Sequence, residues 1–119
     1  MLSTGVVARA QTPGRYYTVD QAHTGAELFA TYCSACHGGQ LQGVALKGPA
    51  LVGAPIRARR WTMNLLFSFV SHQMPANARG SLSSREYSAL MAFLLQRNGH
   101  PAGAIALRPE LIRRVFDRF

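Results

Sequence analysis

The sequence predicts a small all-α domain, with three main helices and long loops around a common centre. Apolar residues recur at three- and four-residue intervals in three segments, which is the spacing of one helical face. The segments between them contain glycine and proline too often for regular structure, and no strand competes with the helices. A length of 119 residues fits one domain, and 48% hydrophobic against 15% charged residues indicates a folded globule.

The chain divides into a body and two flanking segments. Residues 1–19 read as an N-terminal tail, residues 20–102 carry the predicted helices, and residues 103–119 form a C-terminal amphipathic extension. In the tail, Ala8 and Ala10 resemble the end of a secretion signal, although the charged and apolar regions of such a signal are missing. We expect an exported protein whose tail is the remnant of that signal; the alternative is that the resemblance is accidental.

The first helix is predicted near Thr24 and Glu27, which have the spacing of a capping box. Gly25 lies one turn before Phe29 on the same face. A glycine inside a helix is costly, and a second helix crossing close to this point would explain it, as would a loose first turn.

Two further helices follow. Trp61, Leu65 and Phe69 recur every four residues, with Leu66 and Val70 alongside, and predict the second helix. Ser83 and Glu86 form a capping-box pair at the start of the third. The third helix presents one apolar stripe, which consists of Tyr87, Leu90, Met91, Leu94 and Leu95.

The C-terminal extension can form a short helix with Pro109 in its first turn. It can pack on the body, or it can bind a partner or a membrane surface. Its predicted apolar face consists of Leu111, Ile112, Val115, Phe116 and Phe119.

The pentapeptide CSACH contains both cysteines of the chain, Cys33 and Cys36, followed at once by His37. A disulfide here would close a very short loop and stabilise little. A zinc site needs four ligands, and a second ligand pair with its own short spacing is absent. A redox pair is expected at a helix start among strands, which this sequence lacks. Covalent haem attachment uses all three residues, because two thiols add to the two vinyl groups and the imidazole binds the iron.

The candidates for a second iron ligand are Met63, Met74, Met91 and the histidines, among which His72 is the rival to Met74. Met63 and Met91 lie within predicted helices, where core packing is the simpler role. His72 directly follows the second helix and is expected to point outward. Met74 precedes Pro75 in a loop, where its backbone should be extended and its soft thioether could reach the iron. The alternative is that Met74 fills a gap in the packing.

The stretch GPAL can orient the imidazole of His37. Pro49 holds its own carbonyl in a rigid loop, and Leu51 would then cover the haem face; the alternative is a simple turn. The loop that follows the motif, which contains Leu46, is too apolar to remain exposed to water. The expected apolar wrap around the haem consists of Leu41, Val44, Leu51, Trp61, Leu65, Phe69 and Leu90.

These features together resemble a bacterial class I cytochrome c over about residues 20 to 100. They are Gly25 and Phe29, the stretches CSACHG and GPAL, the Met74 loop, and the helix EYSALMAFLLQ. The resemblance implies a small cytochrome c fold, in which three main helices and long loops wrap one covalently bound haem.

The same resemblance implies the roles of individual residues. Cys33 and Cys36 would bind one haem c, His37 and Met74 would be the axial ligands of its iron, and Pro49 would orient the imidazole. The first and third helices would cross where Gly25, Phe29 and Tyr87 meet. Leu51 and Trp61 would complete the cofactor-binding set.

The stretch LSSREYSALMAFLLQRNGHPAG is similar to the haem domains that accompany periplasmic quinoprotein (PQQ) dehydrogenases. This implies a periplasmic single-electron carrier, not an enzyme. Its redox partners would be a quinoprotein dehydrogenase and a terminal oxidase or another cytochrome, and association with a membrane would go through such a partner. The alternative is a haem sensor or peroxidase-like enzyme with an open or displaceable sixth iron position, for which the sequence supplies no distal acid–base pair.

The charge favours an acidic partner. The net charge is +8, and twelve of the thirteen basic residues are arginine. Aromatic residues are not interleaved with basic ones, so nucleic acid is not expected. No run of eighteen apolar residues predicts a membrane span. Arg57, Arg59 and Arg60 either surround the haem edge or are solvated surface charge.

Overall fold

The computed structural model describes residues 14–119, and the regular structure in that range is entirely helical. The expected all-α fold is therefore confirmed. Backbone pairing outside the helices is limited, in the same range, to two isolated bridges, Val44 with Gly48 and Thr62 with Arg118. The helices are α1 (Val19–Tyr32), α2 (Ser34–His37), α3 (Ala54–Arg57), α4 (Met63–Gln73), α5 (Ser84–Arg97) and α6 (Pro109–Ile112).

Helix α1 begins earlier than the sequence predicted. Thr18 is the N-cap, and its hydroxyl accepts a hydrogen bond from the backbone of Gln21 at 3.2 Å. The prediction that Thr24 caps this helix is wrong, since its hydroxyl donates to the carbonyl of Asp20 one turn back. The Gln21 side chain exchanges two hydrogen bonds with the backbone of Leu107, and this distant contact helps hold the earlier start.

Helices α1 and α5 cross at Gly25. A Cβ atom at Gly25 would lie 2.6 Å from the carbonyl carbon of Ala89 and 2.8 Å from the Cβ of Phe93, so only glycine permits this approach. The aromatic ring at the crossing is Phe93, whose centroid lies 5.4 Å from that of Phe29. The expectation that Tyr87 meets Gly25 and Phe29 is therefore wrong, because the close approach lies further along α5.

Helix α5 forms the centre of the core. The predicted capping box is confirmed, as Ser83 accepts from the Glu86 backbone at 3.1 Å and Glu86 accepts from the Ser83 backbone at 2.8 Å. Every residue in 87–95 is buried. The buried surface of the helix there therefore extends beyond the predicted stripe.

Helix α4 buries only part of the predicted apolar face: Leu66 is buried as expected, and Val70 packs against the core. Met63, Leu66 and Phe67 are buried, whereas Leu65 is 54% and Phe69 is 41% exposed. Trp61 lies before the helix begins, so its four-residue spacing to Leu65 does not describe a helical face.

The C-terminal segment packs on the body. Leu107 and Ile112 are buried, but Phe116 is 72% exposed, so its predicted place on the packed face is wrong. The helix ends at Ile112. Residues 115–119, which we call the strap, then lie against the start of α4. The hydrogen bonds of this strap are Asn64 N to Val115 O, Met63 N to Asp117 O and Phe119 N to Trp61 O, each 2.9 Å.

The bonds donated by Met63 and Asn64 satisfy N–H groups at the start of α4, where the N-cap Thr62 makes no capping bond through its side chain. At the other end of the chain, the secretion-signal pattern at Ala8 and Ala10 lies outside the described residues. Tyr16 and Tyr17, in the segment read as tail, are buried, and their hydroxyls donate to Asp117 and to the carbonyl of His100.

Candidate functional site

A cavity of about 690 Å³ opens beside the C-terminal end of α1. Its walls come from five parts of the chain: residues 29–37, the loop 47–51, residues 56–70 in part, the loop 74–77, and one face of α5. The volume lies within the range that cofactors and small ligands occupy in proteins. Both cysteines, His37 and Met74 lie on its lining.

The two cysteines lie one helical turn apart. Cys33 is the residue between α1 and α2, and its carbonyl accepts from Cys36 N at 3.2 Å and from His37 N at 2.9 Å. Cys33 is half-buried, Cys36 is exposed, and both thiols are free. Burial raises the pKa of the Cys33 thiol to about 11, with a further contribution from Cys36, so this thiol is neutral at pH 7.

The imidazole of His37 is held in one orientation. His37 is 8% exposed, and its Nδ1 lies 2.8 Å from the carbonyl oxygen of Pro49. A carbonyl can only accept, so Nδ1 carries the proton and Nε2 keeps its lone pair for a metal. Pro49 therefore occupies the place that the sequence analysis gave it.

Gly48 is needed for this arrangement, and the sequence analysis assigned it no role. A Cβ atom there would lie 2.6 Å from the Cys36 carbonyl oxygen and 3.0 Å from His37 Nδ1. The only sequence signal is its place before Pro49.

Met74 differs from Met63, Met91 and His72 in its position relative to the cavity. It is the C-cap of α4, with the extended backbone that its place before Pro75 predicts (φ −116°, ψ 153°), and it lines the cavity. His72 is exposed, and its Nδ1 lies 2.7 Å from the Ser68 carbonyl. Met63 and Met91 are buried in the core and do not line the cavity.

The apolar wall is only partly the one predicted. Leu51, Trp61, Phe69 and Leu90 line the cavity, and the rings of Trp61 and Phe69 lie 5.4 Å apart. Three residues of the predicted wrap do not line it: Leu41 is buried in the core, Leu65 is exposed, and Val44 lies in the loop beyond the wall. Leu46, in the same apolar loop, is also exposed. The loop closes on itself through the bridge between Val44 and Gly48, which leaves Leu46 at its tip.

Among the described residues, the charged side chains on the lining are Lys47 and Arg59, and no acidic side chain accompanies them there. Arg57 and Arg60 are exposed and lie off the lining. Of the predicted arginine cluster, only Arg59 can face a group inside the cavity, and the local charge favours an anionic group there.

The alternatives for the cysteines lose support. Among residues 14–119, no three His, Cys, Asp or Glu side chains are grouped so that they could hold a metal ion. The thiols of Cys33 and Cys36 are not joined. The zinc and disulfide interpretations therefore have no counterpart in the described part of the chain.

A further residue of the site is Tyr87, which the sequence analysis placed only at the helix crossing. It lines the cavity, and its hydroxyl donates to the backbone carbonyl of Met74 at 2.5 Å. A buried tyrosine needs a partner for its hydroxyl, but sequence alone does not show which partner.

The profile of the family described as "Cytochrome C oxidase, cbb3-type, subunit III" matches residues 20–94. The chain belongs to this cytochrome c family. Membership implies a covalently bound haem c, with which the Cys-X-X-Cys spacing of this cytochrome c domain agrees. The expected resemblance to class I cytochromes c is confirmed at the level of the family.

The cytochrome c domain also resembles a solved structure, the sulfane dehydrogenase SoxCD from Paracoccus pantotrophus. The TM-score is 0.61 and the sequence identity is 24%, over 98% of this chain and 64% of that one. This likeness supports the fold, and the chain spans less than two thirds of the length of that relative. Among curated proteins, none matches the chain.

Within residues 14–119, no helix has both the length and the apolar character that a membrane crossing requires.

Proposed function

We propose that this cytochrome c domain is a single-electron carrier that holds one haem c through Cys33 and Cys36, with His37 and Met74 as the axial ligands of the iron. The observation that carries the proposal is one cavity that brings together both thiols, an imidazole fixed by the Pro49 carbonyl, and Met74. When bound, the haem iron supplies the one-electron redox couple.

The residues of the chain have distinct tasks in this proposal. Cys33 and Cys36 form thioethers, which do not ionise, so the raised pKa of Cys33 concerns only the free thiol. His37 offers Nε2 because Nδ1 donates to Pro49. The soft sulfur of Met74 favours the reduced state and raises the reduction potential. Since the chain supplies both ligands, neither oxidation state requires a change of ligand.

The cavity wall excludes water and balances charge. Leu51 and Trp61 supply apolar surface next to the cofactor. Lys47 and Arg59 are the basic groups that would pair with haem propionates, since no carboxylate on the lining competes for them.

The lining favours an electron carrier over a haem sensor or a peroxidase-like enzyme. Proton transfer at an open iron site needs a second histidine or a carboxylate close by. In the described part of the chain, His37 is the histidine on the cavity wall, and no Asp or Glu lies there.

The proposal also covers the redox partners of the protein and its location in the cell. The net charge of +8 suits an acidic redox protein. The family description names an oxidase subunit, and the resemblance at 82–103 suggests a quinoprotein dehydrogenase. We propose a dehydrogenase as donor and a terminal oxidase or another cytochrome as acceptor, in the periplasm, where the secretion-signal pattern in the tail would direct the chain.

Replacement of Met74 tests the axial ligation. In the haem-loaded protein, Met74→Ala should keep the haem, lower the reduction potential and abolish the sulfur-to-iron charge-transfer band of the oxidised form. Met91→Leu is the matched control, because Met91 is buried in the core away from the cavity and the change conserves volume. A potential unaltered by Met74→Ala would rule out Met74 as a ligand.

A further inference from the structure

Both ends of the loop between α4 and α5 are hydrogen-bonded to one side chain, that of Tyr87. The hydroxyl of Tyr87 donates to the carbonyl of Met74 at 2.5 Å, where the loop begins. It also accepts from the backbone N–H of Leu82 at 3.3 Å, where the loop ends. Tyr87 is 3% exposed and lies on the cavity wall. One phenol therefore closes the loop that carries the proposed sulfur ligand.

The start of α5 places this phenol. The capping box between Ser83 and Glu86 fixes the first turn, and the backbone N–H of Tyr87 donates to the Ser83 carbonyl at 2.9 Å. Leu82 and Tyr87 occupy the positions directly before the cap and four residues after it, the pair that packs in a hydrophobic staple. The hydroxyl thus belongs to a residue in a helix start that a complete capping box fixes.

The carbonyl of Met74 has a second donor, the backbone N–H of Gly80 at 3.2 Å. The two bonds hold the peptide plane that follows Met74, and with it the extended backbone from which the thioether departs. Loss of the hydroxyl would leave the Gly80 bond at one end of the loop and an unpaired Leu82 N–H at the other.

We propose that Tyr87 is a positioning residue for Met74. Its hydroxyl holds the loop closed, keeps the thioether in the cavity, and so sets how easily an outside ligand replaces that sulfur. This inference rests on the proposed role of Met74 as an axial ligand. The phenyl ring has a separate role as part of the cavity wall, which phenylalanine would also fulfil.

The expected effect follows from a population argument. An outside ligand binds only molecules in which Met74 has left, so its apparent affinity is proportional to the fraction of open molecules. Loss of a hydrogen bond of ordinary net strength would raise that fraction, and hence the affinity, roughly 3- to 10-fold.

The test is imidazole titration of the oxidised, haem-loaded protein, followed by visible absorption. Tyr87→Phe should bind imidazole roughly 3- to 10-fold more tightly than the parent protein. Tyr17→Phe is the matched control, because that hydroxyl donates to the His100 carbonyl at 2.5 Å, away from the cavity, and its loss should leave the affinity unchanged. Denaturant unfolding of each variant establishes that it is folded under the titration conditions.

A double-mutant cycle separates the possible failures. In a Met74→Ala background, Tyr87→Phe should have no further effect, since the group it positions is gone. If Met74→Ala tightens imidazole binding but Tyr87→Phe does not, the positioning role is overturned and the axial assignment stands. If the effect of Tyr87→Phe persists without Met74, the tyrosine acts as a wall only, and the proposal fails. An affinity unchanged by Met74→Ala would overturn both the axial assignment and this role.

Discussion

Replacement of Gly48 by alanine adds one methyl group behind the imidazole of His37. The backbone of Gly48 does not lie in the left-handed region, so the substitution tests space alone. The new Cβ would lie 2.6 Å from the Cys36 carbonyl oxygen and 3.0 Å from His37 Nδ1. Both neighbours belong to the motif that we propose holds the haem. The nearer one is backbone, and the imidazole is held by the Pro49 carbonyl, so neither can swing away as a free side chain would.

The distances give the size of the effect. An ordinary contact of about 3.4 Å with the Cys36 oxygen requires the loop to withdraw by about 0.8 Å. If Pro49 moves with it, the 2.8 Å bond to His37 lengthens to about 3.6 Å, beyond the usual limit of about 3.2 Å. We expect the free energy of unfolding to fall by about 1–3 kcal/mol.

The same substitution should change the reduction potential. A hydrogen bond from Nδ1 makes the imidazole a stronger base, which favours the oxidised iron. Its loss should raise the potential by roughly 20–60 mV, which is the net energy of one hydrogen bond expressed for one electron.

Guanidinium unfolding and a redox titration of the haem-loaded variant measure these two effects. Gly39→Ala is the matched control, because a Cβ atom at Gly39 meets nothing within 4 Å and its φ angle is ordinary. A Gly48→Ala protein with the stability and potential of the parent would refute the argument that the GPAL loop presses against the motif.

Three further predictions concern other parts of the molecule. Gly25→Ala should lower the free energy of unfolding by about 2 kcal/mol in a denaturant titration, because the methyl group meets the Ala89 carbonyl on α5. Arg59→Gln should lower the reduction potential by roughly 10–40 mV, since a positive charge on the cavity wall disfavours the oxidised state. Burial raises the pKa of Tyr17 above 10, so stability should hold up to about pH 10 and fall as pH rises through the raised pKa.

Each of these has a contrary outcome. A Gly25→Ala protein with the same free energy of unfolding as the parent would contradict the close helix crossing. For Arg59, the control is Arg57→Gln, off the cavity lining, and an equal shift in both variants would indicate general surface charge. For Tyr17, unfolding is followed by circular dichroism from pH 8 to 12. An alkaline loss of stability as steep in Tyr17→Phe as in the parent would exclude this tyrosine as its cause.

The sequence predicted those features that depend on neighbours along the chain. Three helices follow from apolar spacing, and the Ser83–Glu86 capping box is local by nature. One turn of helix places Cys33, Cys36 and His37 together, so the motif needs no distant information.

Features that depend on distant contacts were predicted less well. Thr18 and Thr24 are both acceptable helix caps, and the choice between them is influenced by Gln21 reaching Leu107. The sequence predicted the crossing at Gly25, but its aromatic partner on α5 depends on the crossing angle and on where along α5 the two helices meet. Local spacing contains neither quantity.

The site shows the same division. That Met74 has an extended backbone follows from the proline after it, whereas the hydroxyl of Tyr87 reaches it from 13 residues away. Leu65 and Leu46 satisfy a pattern of apolar residues, yet both are exposed. Periodicity identifies a helix or an apolar loop, but the neighbouring segments decide which face is covered.

The state of the two thiols tests the central claim most directly. The chain is to be expressed with export and haem-ligation machinery, denatured, and analysed by mass spectrometry and by alkylation of free thiols. We predict a mass increased by one haem that survives denaturation, with neither Cys33 nor Cys36 open to alkylation. A colourless protein of unmodified mass, in which both thiols react, would contradict the account.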